Sequence, residues 1–358
     1  MQSSPVPILK NKRVLIAGGT GSLGKVLLRR LLQMGQDGPD QIVILSRDEA
    51  KHHAIRVEYQ QRVYATHDVI YRNFVEHLTF RIGDVRDYSA VAAALRGIHV
   101  VFNAAALKQV PTCEYFPFEA VQTNVGGAEN IVRAIREHDL PVETVIGIST
   151  DKAVKPINVM GMTKALQERI FARANLDTAQ TRFAIVRYGN VLASRGSVIP
   201  LFHDQIRNGG PVTITDPLMT RFLLSLDEAV DLMFAALETA QRGETYIPRL
   251  PSARITDIAQ VLIGDRPVSS VITGMRPGEK LHEILISEEE VHRTTRRGEH
   301  YVIAPVLPEL RGSLSEPALN KEYTSEDDLM SASQVAALLA KRRLLIGDTM
   351  EFEGEFLR

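Results

Sequence analysis

The chain has 358 residues, of which 44% are hydrophobic and 24% charged, a composition typical of a folded globular protein rather than a disordered one. Its 42 Lys and Arg residues balance 43 Asp and Glu residues, so the net charge of −1 gives no general attraction to nucleic acid or to an anionic membrane. A single cysteine excludes an internal disulfide, and we find neither a signal peptide nor a long apolar run, so we expect a cytoplasmic protein without membrane insertion.

Short apolar runs alternate with helical patterns through the first half of the chain. Residues 14–17 form a buried apolar run, residues 23–34 repeat apolar side chains at helical spacing, and a second apolar run follows at 42–45. This is the length of one strand–helix–strand unit. Further strands are predicted at 78–82, 99–102, 142–148 and 183–187. Because buried strands alternating with helices form parallel sheets covered on both faces, we predict an α/β fold with a Rossmann-type doubly wound parallel sheet.

The pattern changes after residue 187, where glycine and proline become frequent. Helices are predicted beyond this point at 226–239, 255–262, 279–286 and 332–341. We therefore expect a Rossmann domain over 1–187, mainly a smaller irregular α/β lobe over 188–310, and a tail with a final helix over 311–358. The first boundary is soft, because the chain can return to the first domain within the second segment.

A glycine-rich turn follows the first predicted strand and opens a helix. Its glycines have the spacing G-x-x-G-x-x-G. Such glycines allow a tight turn and a close approach of the backbone to a pyrophosphate, which then faces the N-terminus of the helix. The turn therefore predicts a dinucleotide site, with contacts from Gly18, Thr20, Gly21, Ser22, Leu23 and Gly24.

Side chains at the ends of the following strands indicate which dinucleotide is bound. Ser46 and Arg47 end the second strand, where an acid would bind the ribose 2′-hydroxyl of NAD. A guanidinium favours the 2′-phosphate of NADP, so we predict NADP, with NAD bound through Asp48 as the alternative. Further cofactor contacts are expected after the third and fourth strands, from Asp84, Val85, Ala104 and Ala105.

A polar segment follows the fifth strand, at the edge where open α/β sheets bind ligands. It reads Ser-Thr-Asp-Lys over 149–152, and a helix then carries Met160 and Lys164 one turn apart on one face. Asp151 and Lys152 are adjacent and of opposite charge, which suits acid and base roles. A thioether exchanges no proton, so Met160 has a packing role.

Together these motifs resemble the extended short-chain dehydrogenase/reductases, which pair a strand-end Ser or Thr with Tyr-x-x-x-Lys. With Met160 in the tyrosine position, the chain resembles more narrowly a subset of the UDP-N-acetylglucosamine 4,6-dehydratases of bacterial surface-polysaccharide and glycan biosynthesis, which have Met-x-x-x-Lys there. The motifs that carry the resemblance lie at 18–24, 46–49, 104–111, 149–154, 188–191, 195–200, 215–222 and 276–283.

The resemblance implies a lyase reaction in which NADP⁺ takes a hydride from C4 of the sugar and returns it to C6, with loss of water and no net redox change. It assigns Asp151 as the acid at C6 and Lys152 as the base at C5. It places the Thr150 hydroxyl near the C4 oxygen and Lys164 on the nicotinamide ribose. Three routes are open for the C4 hydroxyl proton: Asp151, Lys164 through a water, or Thr150 in a relay.

The resemblance also implies a UDP-sugar site, which needs basic and amide groups for two phosphates. Its residues would be Lys108, Asn190, Arg195, Ser197, Arg276 and Glu279. It further implies a homo-oligomer, between a dimer and a hexamer. We expect no bound metal, because no spacing of histidine, cysteine and carboxylate residues suggests one.

Two other functions are open at this point. A UDP-sugar 4-epimerase shares the fold and the first hydride step, but it does not need the pair of Asp151 and Lys152. A non-catalytic sensor of NADP or UDP-sugar would account for Met160 in the tyrosine position. Entry of solvent deuterium at C5 separates the dehydratase from the epimerase, whereas a sensor leaves UDP-N-acetylglucosamine unchanged. Retention or inversion at C5 is not fixed by the sequence.

Overall fold

A computed structural model of the chain describes residues 7–60, 76–192, 197–313 and 316–348. The predicted strands of the first half are all present, and their ends differ from the prediction by at most two residues. In chain order the strands are β1 (Arg13–Ala17), β2 (Gln41–Ser46), β3 (Leu78–Ile82), β4 (Val100–Asn103), β5 (Thr144–Thr150), β6 (Arg182–Tyr188), β7 (Asn190–Val191), β8 (Val212–Ile214), β9 (Thr220–Leu224), β10 (Thr245–Pro248), β11 (Ser252–Arg254), β12 (Ser270–Ile272), β13 (Ile284–Ile286), β14 (Thr294–Arg297), β15 (His300–Ile303) and β16 (Tyr323–Thr324).

Within the described residues, nine strands form one sheet in the order β14-β15-β10-β6-β5-β4-β1-β2-β3. Neighbouring strands are parallel from β10 to β3, whereas β15 and β14 are antiparallel additions beside β10. In β1, Val14 faces Ile42 on one side and Val100 on the other. The strand order reverses at β1, so the C-terminal ends of β1 and β4 border the crevice in which such sheets bind ligands. The doubly wound Rossmann-type fold is thereby confirmed.

Helices cover both faces of this sheet, and others belong to a smaller lobe. In chain order the helices are α1 (Ser22–Gln33), α2 (Glu49–Gln60), α3 (Tyr88–Leu95), α4 (Val110–Tyr115), α5 (Pro117–Ala120), α6 (Gly127–Glu137), α7 (Val159–Asp177), α8 (Val198–Arg207), α9 (Leu226–Thr239), α10 (Ile255–Ile263), α11 (Glu288–Val291) and α12 (Ala332–Lys341). Because successive side chains of a strand point to opposite faces, Ile16 joins a core with α1 and α9, whereas Leu15 joins a second core with α3, α6 and α7.

A smaller lobe has its own core, formed by α8, α10 and α12 with β8, β9 and β11. The helices predicted at 226–239, 255–262 and 332–341 are confirmed. The helix predicted at 279–286 is wrong. A turn with Gly278 at φ +78° precedes this segment, which ends as β13 paired antiparallel with β16. Its Ile-Leu-Ile run suits a strand, but the partner strand comes from the tail and is not a neighbour in sequence.

The chain after residue 188 contributes to both parts of the molecule. Strands β10, β14 and β15 extend the main sheet beyond β6, and α9 packs on the sheet beside α1. The tail returns to the lobe, where β16 pairs with β13 and α12 joins the core of α10. Across the ranges that the structure describes, no helix combines the length and apolar character needed to cross a bilayer.

Candidate active site

The glycine-rich turn between β1 and α1 lies against the end of β4. Gly18 has φ +78°, and a Cβ there would lie 2.7 Å from the backbone nitrogen of Ala105. A Cβ on Gly24 would lie 2.5 Å from Cα of Gly19, so the helix packs directly on the turn. At Gly21, by contrast, the nearest atom to such a Cβ is 3.5 Å away. The turn is thus closed on its protein side, and Gly21 leaves the start of α1 open.

The tips of β2 and β3 carry a polar cluster beside this turn. The hydroxyls of Thr20 and Ser46 are 2.7 Å apart. The Arg47 side chain is 57% exposed and lies 3.5 Å from Oδ2 of Asp84. Burial would raise the pKa of the Asp84 carboxyl, but hydrogen bonds from Arg86 outweigh it and lower the pKa. Asp84 therefore offers a stable negative charge, and Arg47 has the freedom to meet a second anion.

One cavity of about 730 Å³ joins the glycine turn to the smaller lobe. Nearly all of the residues predicted for the site line it. From the cofactor set these are Gly18, Thr20, Gly21, Ser22, Leu23, Gly24, Ser46, Arg47, Asp84, Val85, Ala104 and Ala105. From the catalytic and substrate sets they are Thr150, Lys152, Met160, Lys164, Lys108, Asn190, Ser197, Arg276 and Glu279. The volume is in the range of small-molecule sites. Predicted residue Arg195 lies outside the described residues.

Asp151 is the predicted residue that the structure places behind the cavity wall. It begins a short 3₁₀ turn after β5, and its side chain is fully buried. Its Oδ1 accepts hydrogen bonds from the Thr150 hydroxyl at 2.8 Å and from Nζ of Lys152 at 3.1 Å. Oδ2 has no hydrogen-bond partner among the described residues. Asp151 is therefore linked to the cavity by its hydrogen bonds to Thr150 and Lys152, whose side chains line it.

Lys152 is held between polar groups from three parts of the chain. Its Nζ lies 3.1 Å from Asp151, 3.0 Å from Oε1 of Glu283 and 3.3 Å from Oδ1 of Asn190. Burial would lower the pKa of the ammonium, but the two carboxylates outweigh it and raise the pKa. Burial is also the main reason why the pKa of Asp151 is raised. Burial thus favours the protonated form of Asp151, while the neighbouring carboxylates favour the charged form of Lys152.

Two cavity residues of this cluster were not assigned a role from the sequence. Glu283 is 2% exposed, and Nε of Arg221 lies 3.7 Å from its Oε1. Burial would raise the pKa of Glu283, but Lys152 and Arg221 outweigh it and lower the pKa. Both residues lie within recognised motifs, yet they are distant from Lys152 in sequence. No pattern in the sequence indicates that Glu283 and Arg221 lie beside Lys152.

Helix α7 presents Met160 and Lys164 to the cavity. Asn158 caps the helix by accepting a hydrogen bond from the backbone of Gly161 at 2.8 Å, as a side chain at this position favours. Met160 is 4% exposed and packs in an apolar cluster with Cys113. Its surroundings agree with the predicted packing role.

Lys164 is nearly buried and touches the cavity. Its Nζ donates a hydrogen bond of 2.8 Å to Oε1 of Gln167, whose amide in turn donates to the carbonyl of Ile148. Burial lowers the pKa of Lys164 to about 8. The amine is therefore close to exchanging its proton near neutral pH.

The residues predicted for the substrate add polar groups to the cavity lining. They are Lys108, Asn190, Ser197, Arg276 and Glu279. The hydroxyl of Ser197 and Oε2 of Glu279 are buried without a hydrogen-bond partner among the described residues. Unsatisfied buried groups of this kind are costly unless a ligand completes them. This part of the cavity lining is therefore suited to a polar ligand.

The turn and the strand tips fit a dinucleotide. A close backbone approach at Gly18, an open helix N-terminus at Gly21 and a charged tip at Arg47 are the features that a pyrophosphate and an adenosine ribose require. The cations Lys108 and Arg276 in the same cavity provide for a second anionic ligand.

Comparison with known proteins agrees with this geometry. The family model described as "Polysaccharide biosynthesis protein" matches residues 14–305. A UDP-glucose 4-epimerase of Rickettsia bellii is 43% identical over 298 residues, which cover 82% of this chain and 83% of that protein. An uncharacterised membrane protein of Methanocaldococcus jannaschii is also 43% identical, over 83% of this chain and 86% of its own length.

Solved structures show the same architecture. Pen from Bacillus thuringiensis superposes with a TM-score of 0.83 at 33% identity, covering 94% of this chain and 99% of that one. A dTDP-glucose 4,6-dehydratase from Streptomyces venezuelae, solved with NAD bound, shares the fold with a TM-score of 0.63 at 21% identity, over 75% of this chain and 86% of its own. The chain therefore belongs to the polysaccharide biosynthesis protein family, within the extended short-chain dehydrogenase/reductase class of nucleotide-sugar dehydratases and epimerases.

Proposed function

We propose that the protein is an NADP-dependent 4,6-dehydratase that converts UDP-N-acetylglucosamine into a UDP-4-keto-6-deoxy-N-acetylhexosamine. The observation that carries this proposal is the buried pair of Asp151 and Lys152 at the cavity wall. Elimination of water across C5 and C6 needs both a base and an acid on one edge of the sugar. A 4-epimerisation needs neither at those positions, so it leaves the pair unexplained.

The cofactor would be held at the glycine turn. Gly18 and Gly21 admit the pyrophosphate, Arg47 meets the 2′-phosphate of NADP, and Lys164 bonds the nicotinamide ribose. When bound, NADP⁺ would accept a hydride from C4 of the sugar and return it to C6. The positive charge of Arg47 is the feature that favours NADP over NAD.

The chain's own residues carry the proton transfers. Lys152 takes the C5 proton, which the neighbouring C4 ketone has made acidic. Asp151 supplies the proton that leaves with the C6 hydroxyl, handed on by the Thr150 hydroxyl that bonds it and lines the cavity. Burial raises the pKa of Asp151, which favours its role as a proton donor. Met160 lines the cavity, where it would pack against the ligands, and its thioether exchanges no proton.

Two routes for the C4 hydroxyl proton have structural support. The Thr150 hydroxyl is bonded to Asp151, which provides a relay. Lys164 has a pKa of about 8, so part of the amine is neutral near neutral pH and is able to accept a proton. The second route compensates for the missing tyrosine, because it places a titrating amine on the same helix face as Met160.

The UDP moiety would bind to the polar groups predicted for the substrate, which line the same cavity. Arg276 faces the pyrophosphate, and Lys108 and Asn190 add a cation and an amide. Glu279 accepts ribose hydroxyls, for which its unpartnered oxygen is suited. Ser197 contributes a hydroxyl that has no partner among the described residues.

A UDP-sugar 4-epimerase is the second candidate, because relatives at 43% identity carry that name. The two reactions give different products from UDP-N-acetylglucosamine in deuterated water with NADP⁺. A dehydratase gives a 4-keto sugar with a C6 methyl group and deuterium at C5, whereas an epimerase gives the C4 epimer with hydrogen retained at C5. NMR of the product distinguishes them, and unchanged substrate would refute both.

A pair of variants ties the product to the site. Lys152→Met should abolish deuterium entry at C5. Lys155→Met makes the same chemical change on an exposed side chain paired with Glu322, and it should leave the rate within about twofold of the wild-type value.

A further inference from the structure

Glu283 lines the cavity beside Lys152, although the sequence assigns it no role. Its Oε1 is 3.0 Å from Nζ of Lys152, and the side chain is 2% exposed. Its second oxygen, Oε2, is buried without a hydrogen-bond partner among the described residues. The residue lines the same cavity wall as Lys152. A buried carboxylate is costly, so its place beside the ammonium calls for an explanation.

The fold holds this carboxylate in a fixed position. The backbone N–H of Glu283 donates to the Ser325 hydroxyl at 2.9 Å, and the Ser325 N–H donates to the carbonyl of Glu283 at 2.9 Å. The hydroxyl of Ser325 also bonds that of Thr220 at 2.6 Å. Strands β9 and β13 and the tail therefore meet at this residue. These hydrogen bonds fix the backbone of Glu283, so the fold holds its side chain beside Lys152.

Lys152 needs such a partner if it is to act as a base. Two carboxylates surround its Nζ and favour the ammonium, which has no lone pair for a C5 proton. Oδ1 of Asp151 already accepts from the Thr150 hydroxyl, whereas Oε1 of Glu283 lies 3.0 Å from Nζ of Lys152 and its Oε2 has no partner among the described residues. Glu283 is therefore the neighbour placed to receive a proton from Lys152.

We propose that Glu283 is a positioning residue that holds Lys152 by its ion pair and accepts one of its protons in the C5 step. The inference rests on the proposed dehydratase function. A proton moves from Nζ of Lys152 to Oε1 of Glu283, and the neutral amine then removes the proton from C5. The electron pair of the C5–H bond forms the C5–C6 double bond as the C6–O bond breaks. The C6 oxygen takes a proton from Asp151 and leaves as water.

The proton balance closes when C5 is protonated again. Lys152 returns a proton to C5 and regains one from Glu283, so the ion pair is restored. The proton that Asp151 gives to the C6 oxygen through the Thr150 hydroxyl is the one released earlier by the C4 hydroxyl. The net base is the Glu283 carboxylate, acting through Lys152. A carboxylate that served only to stabilise the fold would affect C4 oxidation and C5 exchange alike.

The test compares Glu283→Gln with Glu288→Gln in the full-length enzyme. Glu288 is exposed on the adjacent helix α11, outside the residues that line the cavity. Two half-reactions are measured with UDP-N-acetylglucosamine: C4 oxidation, from the absorbance of reduced nicotinamide after mixing, and deuterium entry at C5, by NMR. We expect Glu283→Gln to slow C5 exchange by at least about a hundredfold while reduced nicotinamide still accumulates. Glu288→Gln should leave both half-reactions unchanged.

If Glu283→Gln does not fold, Glu283→Asp tests the proposed role of Glu283 in its place. The shorter side chain withdraws the carboxylate from Lys152 and should show the same split, with C5 exchange reduced more than C4 oxidation. Equal losses in the two half-reactions, or C5 exchange within about threefold of the wild-type rate, would overturn the proposal. A wild-type enzyme that forms no 4-keto-6-deoxy product overturns the proposed function instead, and the role of Glu283 falls with it.

Discussion

Replacing Lys152 by methionine removes the ammonium that lies between two carboxyl groups, and it should lower the free energy of unfolding. The nitrogen holds oxygens of Asp151 and Glu283 at 3.1 and 3.0 Å, so these oxygens lie at most about 6 Å apart. Two carboxylates at that separation repel by about 3 kcal/mol at an effective dielectric constant of about 20. Removal of one partner of a buried ion pair typically costs about 3–5 kcal/mol. Both routes give a loss of several kcal/mol in the free energy of unfolding.

The loss should depend on pH, and its sign follows from the carboxyl groups. Without the ammonium, the folded-state pKa values of Asp151 and Glu283 rise above those in the unfolded chain. A raised carboxyl pKa stabilises the fold below the unfolded pKa and loses that contribution as pH rises through the folded value. We therefore expect a deficit of about 3–5 kcal/mol at pH 8 that becomes clearly smaller at pH 5.

Urea unfolding of wild-type protein and Lys152→Met at both pH values measures this difference. Lys155→Met is the matched control, because its ion pair with Glu322 is on the surface and should be worth less than about 1 kcal/mol. A deficit below about 1 kcal/mol at pH 8, or one that does not change with pH, would refute the assignment of Lys152 as the counter-charge of both carboxyls.

Three further predictions concern the cofactor, the acid and the buried frame. Arg47→Ala should weaken NADP binding by about 1.5–3 kcal/mol and leave NAD binding unchanged in calorimetric titrations. An unaltered NADP preference would show that Arg47 does not bind the 2′-phosphate. Asp151→Asn should lower kcat at least about a hundredfold and Met160→Leu less than about tenfold, and the reverse ranking contradicts the proton route through Asp151. Arg187→Met removes the guanidinium that bridges two buried glutamates and should cost about 3–5 kcal/mol in urea unfolding, whereas exposed Arg173→Met should cost less than about 1; equal losses count against the bridge.

Local signals explain the part of the fold that the sequence predicts well. Helix α9 begins with a capping box between Ser225 and Glu228, and α12 begins with one between Ser331 and Gln334. Both helices lie where the helical spacing predicts them, because caps and periodicity involve neighbouring residues. The glycine turn is equally local, and its spacing predicts the tight packing found at Gly18.

The wrong helix at 279–286 marks the limit of such signals. This segment forms β13 because β16, which comes from the tail, supplies its backbone partners. Strand pairing of this kind depends on where the chain returns, and no short window of sequence contains that information. The same tail fixes Glu283 through Ser325.

Consecutive or periodic residues are enough to predict the Rossmann sheet, the glycine turn and the adjacent charges of Asp151 and Lys152. The burial of Asp151 behind the cavity wall and the ion pair of Glu283 with Lys152 arise from tertiary packing. Burial and ion pairing depend on which distant segments pack together, and these two quantities set the pKa values on which the proposed chemistry rests.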